Sequence, residues 1–391
     1  MNPRDPHHRK PNAHVLQDSG LSTHDFVPET DDVAVARPLV ALRGRGAAHN
    51  PVNRFVQIDF VPDGDFLDAD EDDAPGPRTV FLRDATKSIL SRNDSPDVGF
   101  DVSVNPYRGC EHGCIYCFAR PTHEYLGFSA GLDFETKILV KEDAPELLRQ
   151  ALASPKWAPQ PIAMSGVTDC YQPAERKLRI TRRCLEVLAD FRNPVAIVTK
   201  NHLVTRDADV LAGMAAYGAA AVNVSVTSLD EKLQRVLEPR TSTPKRRLAA
   251  IETLAKAGVP VRVLVAPVIP GLTDHEVPAI LQAVADAGAS GAHYIPLRLP
   301  FALKELFESW LETHFPDRKE KVLGRIREIR GGKLNDASFG SRMRGEGVYA
   351  DSLRALFHAA RRKAGLDGEH APLSTEHFRR PHDTKGQLGL F

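Results

Sequence analysis

Six short apolar runs alternate with helix-like segments between residues 102 and 297, and this alternation constrains the fold more than any other feature. Each run has the length of a buried strand, and the intervening segments repeat apolar residues at helical spacing. The runs are Val102–Asn105, Ile162–Ser165, Val195–Thr199, Ala221–Thr227, Val259–Val268 and Ala292–Leu297. Such strand–helix repeats predict parallel strands joined by right-handed crossovers. The sequence therefore predicts an α/β fold with a partial (β/α)6 TIM-like barrel.

Composition divides the chain into three regions. Residues 1–75 are polar and include an acidic stretch, Val61–Pro75, with seven acids and no base, so we expect a flexible, partly disordered N-terminal region. Its segment RGRG, which ends before Ala47, is compatible with an anion-binding loop. Residues 76–300 contain the repeats and should form the core barrel. The strand pattern then stops, and residues 301–391 should form a basic helical C-terminal extension.

The charge balance limits the classes of partner. Lys+Arg and Asp+Glu both number 51, and this excludes a globally basic, histone-like binder. Residues 318–363 nevertheless carry thirteen Lys/Arg against five Asp/Glu, which favours contact with DNA or RNA, a solvated helical face being the alternative. No apolar stretch approaches the roughly 18 residues of a membrane helix, and the N-terminus lacks a signal-peptide core. We expect a cytoplasmic protein with no membrane contact.

Three of the five cysteines, Cys110, Cys114 and Cys117, fall within eight residues after the first predicted strand. Barrels of this kind gather their chemistry at the carboxyl ends of the strands. Three thiolates on one loop can hold an iron–sulfur cluster or a soft metal ion. Zinc is the alternative, with His112 or His123 as fourth ligand, and the chain would then be a zinc-stabilised nucleic-acid-binding module without catalysis.

The CxxxCxxC spacing, with Tyr116 before the third cysteine, resembles the signature of radical S-adenosylmethionine (SAM) enzymes. The segments TDCYQPAERKLRITRR, VTKNHLVTRD and APVIPGLTDHE resemble the spore photoproduct lyase-like branch, whose members are often labelled "DNA repair photolyase". This resemblance covers roughly Arg43 to Leu366. It implies a radical SAM fold and a [4Fe–4S] cluster whose open iron binds SAM. One-electron reduction by a flavodoxin- or ferredoxin-type donor would cleave SAM to a 5′-deoxyadenosyl radical.

The resemblance also implies a reaction class. The radical would abstract hydrogen from a substrate that the sequence does not identify. Nucleic acid in a lyase- or repair-like reaction is one candidate, and a protein or a small molecule is the other.

The same resemblance implies roles for individual residues. Cys110, Cys114 and Cys117 would ligate iron, and Tyr116 would lie by the adenine of SAM. Two residues after the second strand would face the SAM amino group and ribose: Thr168 and Asp169. Three further residues are candidates to hold the SAM carboxylate, since a buried carboxylate needs charge-assisted partners: Lys200, Ser225 and Arg240. The structural alternatives are an ordinary surface charge for Lys200 and Arg240, a polar strand residue for Ser225 and a helix cap for Asp169.

The chain departs from the lyase in the residues that return a hydrogen atom. Gly166 aligns with the cysteine donor of the lyase, and Phe118 stands where the lyase has a phenol. The nearest thiol, Cys170, is a candidate hydrogen donor, whereas Cys184 lies on an apolar helix face and should belong to the core. These departures argue against the specific thymine-lesion reaction.

Overall fold

The computed structural model describes residues 41–55, 77–368 and 371–381. Within them the strands are β1 (Val80–Arg83), β2 (Leu90–Arg92), β3 (Val102–Val104), β4 (Tyr107–Arg108), β5 (Lys137–Val140), β6 (Ile162–Met164), β7 (Val195–Thr199), β8 (Ala220–Ser225), β9 (Val261–Val268) and β10 (Gly291–Pro296). The α-helices are α1 (Leu132–Thr136), α2 (Ala144–Ala153), α3 (Glu175–Leu178), α4 (Ile180–Phe191), α5 (Ala208–Ala215), α6 (Glu231–Leu237), α7 (Pro244–Lys256), α8 (Val277–Asp286), α9 (Leu303–His314), α10 (Lys319–Glu328), α11 (Ser341–Arg344) and α12 (Val348–Lys363). The flexible region predicted for residues 1–75 lies outside the described residues except for 41–55.

A seven-stranded sheet in the order β10-β9-β8-β7-β6-β3-β2 forms the centre of the fold. The strands from β3 to β10 in this sheet run parallel, and β2 pairs antiparallel with β3 at one edge. These six parallel strands are the six predicted apolar runs, with no strand end displaced by more than two residues. The described strands leave the sheet open between β10 and β2. The predicted partial barrel is therefore confirmed.

The parallel strands form because their side chains are apolar on both faces, as is typical of strands covered on both sides. In β6, Ile162 and Met164 on one face and Ala163 on the other face are all buried. Helix α4 buries the predicted apolar face against this sheet, and Cys184 on that face is completely buried. The core therefore lies between the sheet and its helices, and the carboxyl strand ends are left to build a site.

A second sheet, in the order β1-β5-β4, flanks the carboxyl end of β3. Strand β5 pairs parallel with β1 and antiparallel with β4. Strand β4 leads directly into the three-cysteine segment, and the Cys110 N–H donates to the Phe134 carbonyl at 2.9 Å. Strand β4 and the Phe134 carbonyl of α1 thus fix the start of the loop that carries the cysteines.

The predicted helical extension after β10 is present as helices α9 to α12. Side chains from α9 and α10 share one apolar cluster with Cys114 and Tyr116, and Trp310 in α9 is almost fully buried there. The Trp310 indole N–H donates to the Val236 carbonyl at 3.0 Å. The extension therefore packs beneath the cysteine segment. No helix in the described ranges is both long and apolar enough to span a membrane.

Candidate active site

The Cys loop, defined here as residues 109–118, follows β4 at the carboxyl end of the first parallel strand. Its three thiols are free, and the Cys110 and Cys114 side chains are buried. Gly109 and Gly113 have φ values of +78° and +66°, a left-handed conformation that favours glycine and lets the loop turn tightly. Burial raises the pKa of the Cys117 thiol, and the neighbouring Cys110 raises it further. Two tight turns bring the three cysteines together, since the Gly113 N–H donates to the Cys110 carbonyl at 3.3 Å and the Cys117 N–H donates to the Cys114 carbonyl at 3.2 Å.

Residues 41–55, which we call the N-terminal strap, pack directly on the Cys loop. The backbone N–H groups of Gly46 and Ala47 donate to the two oxygens of the Glu135 carboxylate at 3.0 and 2.9 Å. A Cβ atom at Gly46 would lie only 1.8 Å from the Gly113 carbonyl oxygen. The close backbone contact therefore requires glycine at position 46.

The strap arginine, Arg45, donates hydrogen bonds to three protein groups. Its guanidinium donates to the Glu135 carbonyl at 3.0 Å and also to the Pro77 carbonyl and the Thr79 hydroxyl. The glycine–arginine segment therefore joins α1 to the residues just before β1, and its binding of an anion stays a prediction.

Arg120, three residues after Cys117, is fully buried and holds the Cys loop from inside. Its nitrogens donate, at 2.9–3.2 Å, to the carbonyl oxygens of Gly113, Cys114, Ala130 and Gly131. It also pairs with the buried Glu135 carboxylate. Sequence reasoning missed this residue, because an arginine is by default read as a surface charge.

Asp169 connects the Cys loop to the end of β7. Its carboxylate lies 3.3 Å from His112 Nδ1 and accepts hydrogen bonds from the Thr199 hydroxyl and the Lys200 N–H, both at 2.8 Å. Burial raises the pKa of Asp169, but His112 and the backbone N–H donors outweigh burial and hold that pKa below its ordinary value. The charged Asp169 carboxylate therefore holds the Cys loop and the end of β7 in a fixed position relative to each other.

The Lys200 side chain faces the Cys loop from the end of β7. Its Nζ lies 5.7 Å from the centre of the Tyr116 ring, and its charge lowers the pKa of both Cys114 and Cys117 against the effect of burial. Within the described residues no carboxylate oxygen lies within 4 Å of Lys200 Nζ. The predicted carboxylate-binding cation thus stands next to the thiols and is not neutralised by direct pairing.

A buried ion pair that the sequence analysis missed supports Tyr116. The Tyr116 hydroxyl donates to Glu238 and lies 3.3 Å from the Thr227 hydroxyl. Glu238 pairs in turn with Arg247, and both side chains are almost completely buried. The pair fixes the ring of Tyr116 beside Lys200.

The other predicted residues surround the same loop. Thr168 donates to the Gly109 carbonyl at 2.6 Å, and Arg240 pairs with Glu111 at 3.2 Å. Ser225 ends β8 and is buried, and its carbonyl accepts from Arg247 at 3.0 Å. The structure therefore brings the predicted set together around the Cys loop, and their contacts with SAM stay predictions.

Cys170 lies in a different environment. It is completely buried in the main hydrophobic core, where its N–H donates to the Ser165 hydroxyl at 2.9 Å. Burial raises the pKa of its thiol well above the ordinary value. A Cβ atom at Gly166 would lie 3.3 Å from the Ser103 hydroxyl of β3, and Phe118 is 57% exposed. A donor role for Cys170 stays a prediction.

The donor set fits an iron–sulfur cluster. Three free thiols on one loop are the ligands that such a cluster takes, with one thiolate bound to each of three iron atoms. Of the two candidate zinc ligands, His112 contacts Asp169 and, at 3.1 Å, Asn201 with its two ring nitrogens. His123 packs between the rings of Phe128 and Phe134.

Comparisons with known sequences agree with this geometry. The model of the radical SAM superfamily matches residues 104–284. The uncharacterized protein Rv2578c of Mycobacterium tuberculosis (strain ATCC 25618 / H37Rv) is 36% identical over 295 residues, which cover 74% of this chain and 82% of that protein. The uncharacterized protein MJ0683 of Methanocaldococcus jannaschii is 27% identical over 224 residues, 57% of this chain and 80% of that protein.

Solved structures show the same fold. A mutant of spore photoproduct lyase with bound AdoMet and dinucleoside spore photoproduct matches with a TM-score of 0.51 and 19% identity, over 73% of this chain and 78% of that chain. The superfamily match spans the Cys loop and strands β6 to β9, where the predicted site residues lie. The chain therefore belongs to the radical SAM superfamily and is an enzyme of that class.

Proposed function

We propose that this enzyme holds a [4Fe–4S] cluster with Cys110, Cys114 and Cys117 and cleaves SAM by one-electron reduction. The observation that carries the proposal is the placement of three free thiols on one loop beside the cation of Lys200. When bound, the cluster supplies the electron that splits SAM into methionine and a 5′-deoxyadenosyl radical, which abstracts hydrogen from the substrate.

The residues around the Cys loop have different roles. Lys200 binds the SAM carboxylate, because its ammonium group has no carboxylate oxygen within 4 Å among the described residues and can donate charge-assisted hydrogen bonds to that group. Glu238 and Arg247 orient Tyr116, and Asp169 holds the end of β7 next to the Cys loop. The apolar cluster formed by Leu237, Ile269 and the helices α9 and α10 excludes water from below the loop.

We propose nucleic acid as the substrate class, with a protein or small molecule as the alternative. The similar lyase carries a dinucleoside spore photoproduct in its structure. In this chain, Arg362 and Lys363 at the end of α12 are exposed and have no carboxylate within 4 Å among the described residues. Gly166 and Phe118 replace the lyase's hydrogen-return residues, so the reaction proposed is repair- or lyase-like without being thymine-lesion reversal.

The proposed partner is a small one-electron donor of the flavodoxin or ferredoxin type in the cytoplasm. The described cysteines are all free thiols, and this supports a reducing compartment.

The decisive experiment is anaerobic reconstitution with iron and sulfide. We expect about four irons and four sulfides per chain, an EPR signal after dithionite reduction that changes when SAM is added, and release of 5′-deoxyadenosine. Cys114→Ala should lose iron and signal, and Cys184→Ala, the matched control in the core, should keep both. One zinc per chain with no EPR signal would overturn the proposal in favour of the zinc-stabilised binding module.

A further inference from the structure

A cationic cavity of about 340 Å³ lies beside the segment that follows β7. Its polar lining comes from three elements: Arg176 of α3, the segment Asn201–Arg206, and Arg246 in the first turn of α7. The described residues that line it include none that we assign to the cluster or to SAM. The cavity is therefore a candidate for a second ligand group.

The three arginines of the cavity are not equally neutralised. Arg206 pairs with the buried carboxylates of Glu175 and Asp207, each at 2.8 Å. Arg176 and Arg246 have no carboxylate within 4 Å among the described residues, and the guanidinium of Arg246 lies 3.5 Å from His202 Nδ1. The cavity therefore keeps two positive charges that no neighbouring acid offsets.

Arg246 does not stabilise the helix that carries it. Its helix, α7, has no acid in its first turn, and a cation there is repelled by the positive end of the helix dipole. Burial and the charge of Arg246 together lower the pKa of His202. Arg176 and Arg246 are both exposed and line the same cavity, so an anion that enters it can accept charge-assisted hydrogen bonds from either guanidinium group.

The side chains that line the cavity indicate which chemical class of anion would bind there. Guanidinium groups donate two parallel hydrogen bonds to phosphate oxygens, and His202 and Thr205 add further polar groups. The cavity volume is at the lower end of the range of small-molecule sites, roughly 300–1,000 Å³. We propose that this cavity binds a phosphate group, carried either by a nucleic-acid backbone or by a free phosphorylated molecule.

Asn201 connects the cavity to the active site. Its amide nitrogen lies 3.1 Å from His112 Nε2 in the Cys loop, and its amide oxygen accepts from the Leu203 N–H and the Ser242 hydroxyl. A phosphate in the cavity is thus separated from the Cys loop by one side chain. Such a phosphate would anchor a molecule whose reacting part reaches the SAM site.

The test measures binding and needs no cluster, since every lining residue belongs to the protein itself. The full chain is titrated calorimetrically at low salt with inorganic pyrophosphate and, separately, with a short single-stranded oligodeoxynucleotide. We expect Arg246→Gln to weaken the binding of the recognised probe about tenfold or more. Lys245→Gln is the matched control, because it removes the same charge from the adjacent exposed position, and it should change the affinity less than about twofold.

The probes distinguish the two sources of phosphate. If pyrophosphate binds and Arg246→Gln weakens its binding, the cavity takes a free phosphorylated ligand. If only the oligonucleotide binds and Arg246→Gln weakens its binding, the cavity takes a nucleic-acid backbone. Equal effects of Arg246→Gln and Lys245→Gln, or no binding of either probe, would overturn the proposal. Unchanged thermal unfolding verifies that the variants fold. Reconstituted Arg246→Gln should still cleave SAM, so this proposal and the radical chemistry can fail separately.

Discussion

At the residue scale, Gly46 shows how tightly the N-terminal strap packs on the Cys loop. A Cβ atom there would meet the Gly113 carbonyl oxygen at 1.8 Å, and backbone cannot yield as a flexible side chain can. We expect Gly46→Ala to lower the free energy of unfolding by about 3 kcal/mol and to reduce the iron retained after reconstitution. Denaturant unfolding and iron analysis measure both effects. Gly99→Ala is the control, because a Cβ atom at Gly99 meets nothing within 4 Å; equal losses would contradict the close packing.

Glu238 links the site to the pH dependence of stability. Burial raises its pKa, but Arg247 and Lys200 outweigh burial and lower it to about 2. A carboxyl with a depressed pKa stabilises the fold above its unfolded value of about 4.3, and that contribution is lost as the pH falls toward 2. We therefore expect the free energy of unfolding of the wild type to decrease through this window.

Replacing Glu238 by glutamine should abolish part of the decrease in the free energy of unfolding at low pH. At pH 7 we expect Glu238→Gln to cost about 3–5 kcal/mol, because it leaves the Arg247 charge buried without a partner. Urea unfolding at a series of pH values measures both effects. Glu252→Gln, at a carboxyl that is half exposed, should keep the acid dependence of the wild type. An unchanged pH slope in Glu238→Gln would refute this account.

At the element scale, the sequence predicts the parallel strands because each is a continuous apolar run, as Val195–Thr199 shows. Strands β1, β2, β4 and β5 could not be predicted, since they have two to four residues each and do not belong to the strand–helix repeat that identifies the equally short β3 and β6. Segments this short have no periodicity that separates a strand from a loop, and only their pairing partners define them.

The residues of the candidate site likewise include some that the sequence predicts and others that it does not. The cysteines and Lys200 could be predicted because a local motif carries them. Glu135 and Arg120 could not, because their partners are set by tertiary packing: Glu135 binds the strap N–H of Gly46 from 89 residues away. A carboxylate and a guanidinium that are buried together look, in sequence, like two ordinary surface charges.

The helices α9 and α10 belong to the same folding unit as the Cys loop, and this can be tested at Trp310. Its ring stacks on Phe307 at 5.4 Å and lies in one apolar cluster with Tyr116. We expect Trp310→Ala to cost about 3–5 kcal/mol while unfolding stays a single transition. Phe339→Ala, at a ring that is 61% exposed, should cost less than about 1 kcal/mol. A separate early transition for Trp310→Ala would show that the extension unfolds independently.

At the scale of the whole molecule, a net charge of zero means that nucleic-acid binding has to come from local patches. Within the basic segment, several cations are already engaged: Arg330 donates to four carbonyl groups, and Arg325 pairs with Glu328. The exposed Arg362 and Lys363 are available, and they follow directly on each other at the end of α12.

These two cations make the salt dependence of binding a quantitative test. Each phosphate contact contributes a slope of roughly −0.9 to log K against log salt for duplex DNA, so Arg362→Gln/Lys363→Gln should reduce the slope by about 1.8. Lys156→Gln/Arg183→Gln removes the same charge from exposed positions outside the basic segment and should leave the slope within about 0.5 of the wild type. Binding isotherms at four or more salt concentrations give the slopes. Equal slopes for the two double variants would mean that α12 does not contact the phosphates, whereas no binding at any salt concentration would favour a protein or a small molecule as the substrate class.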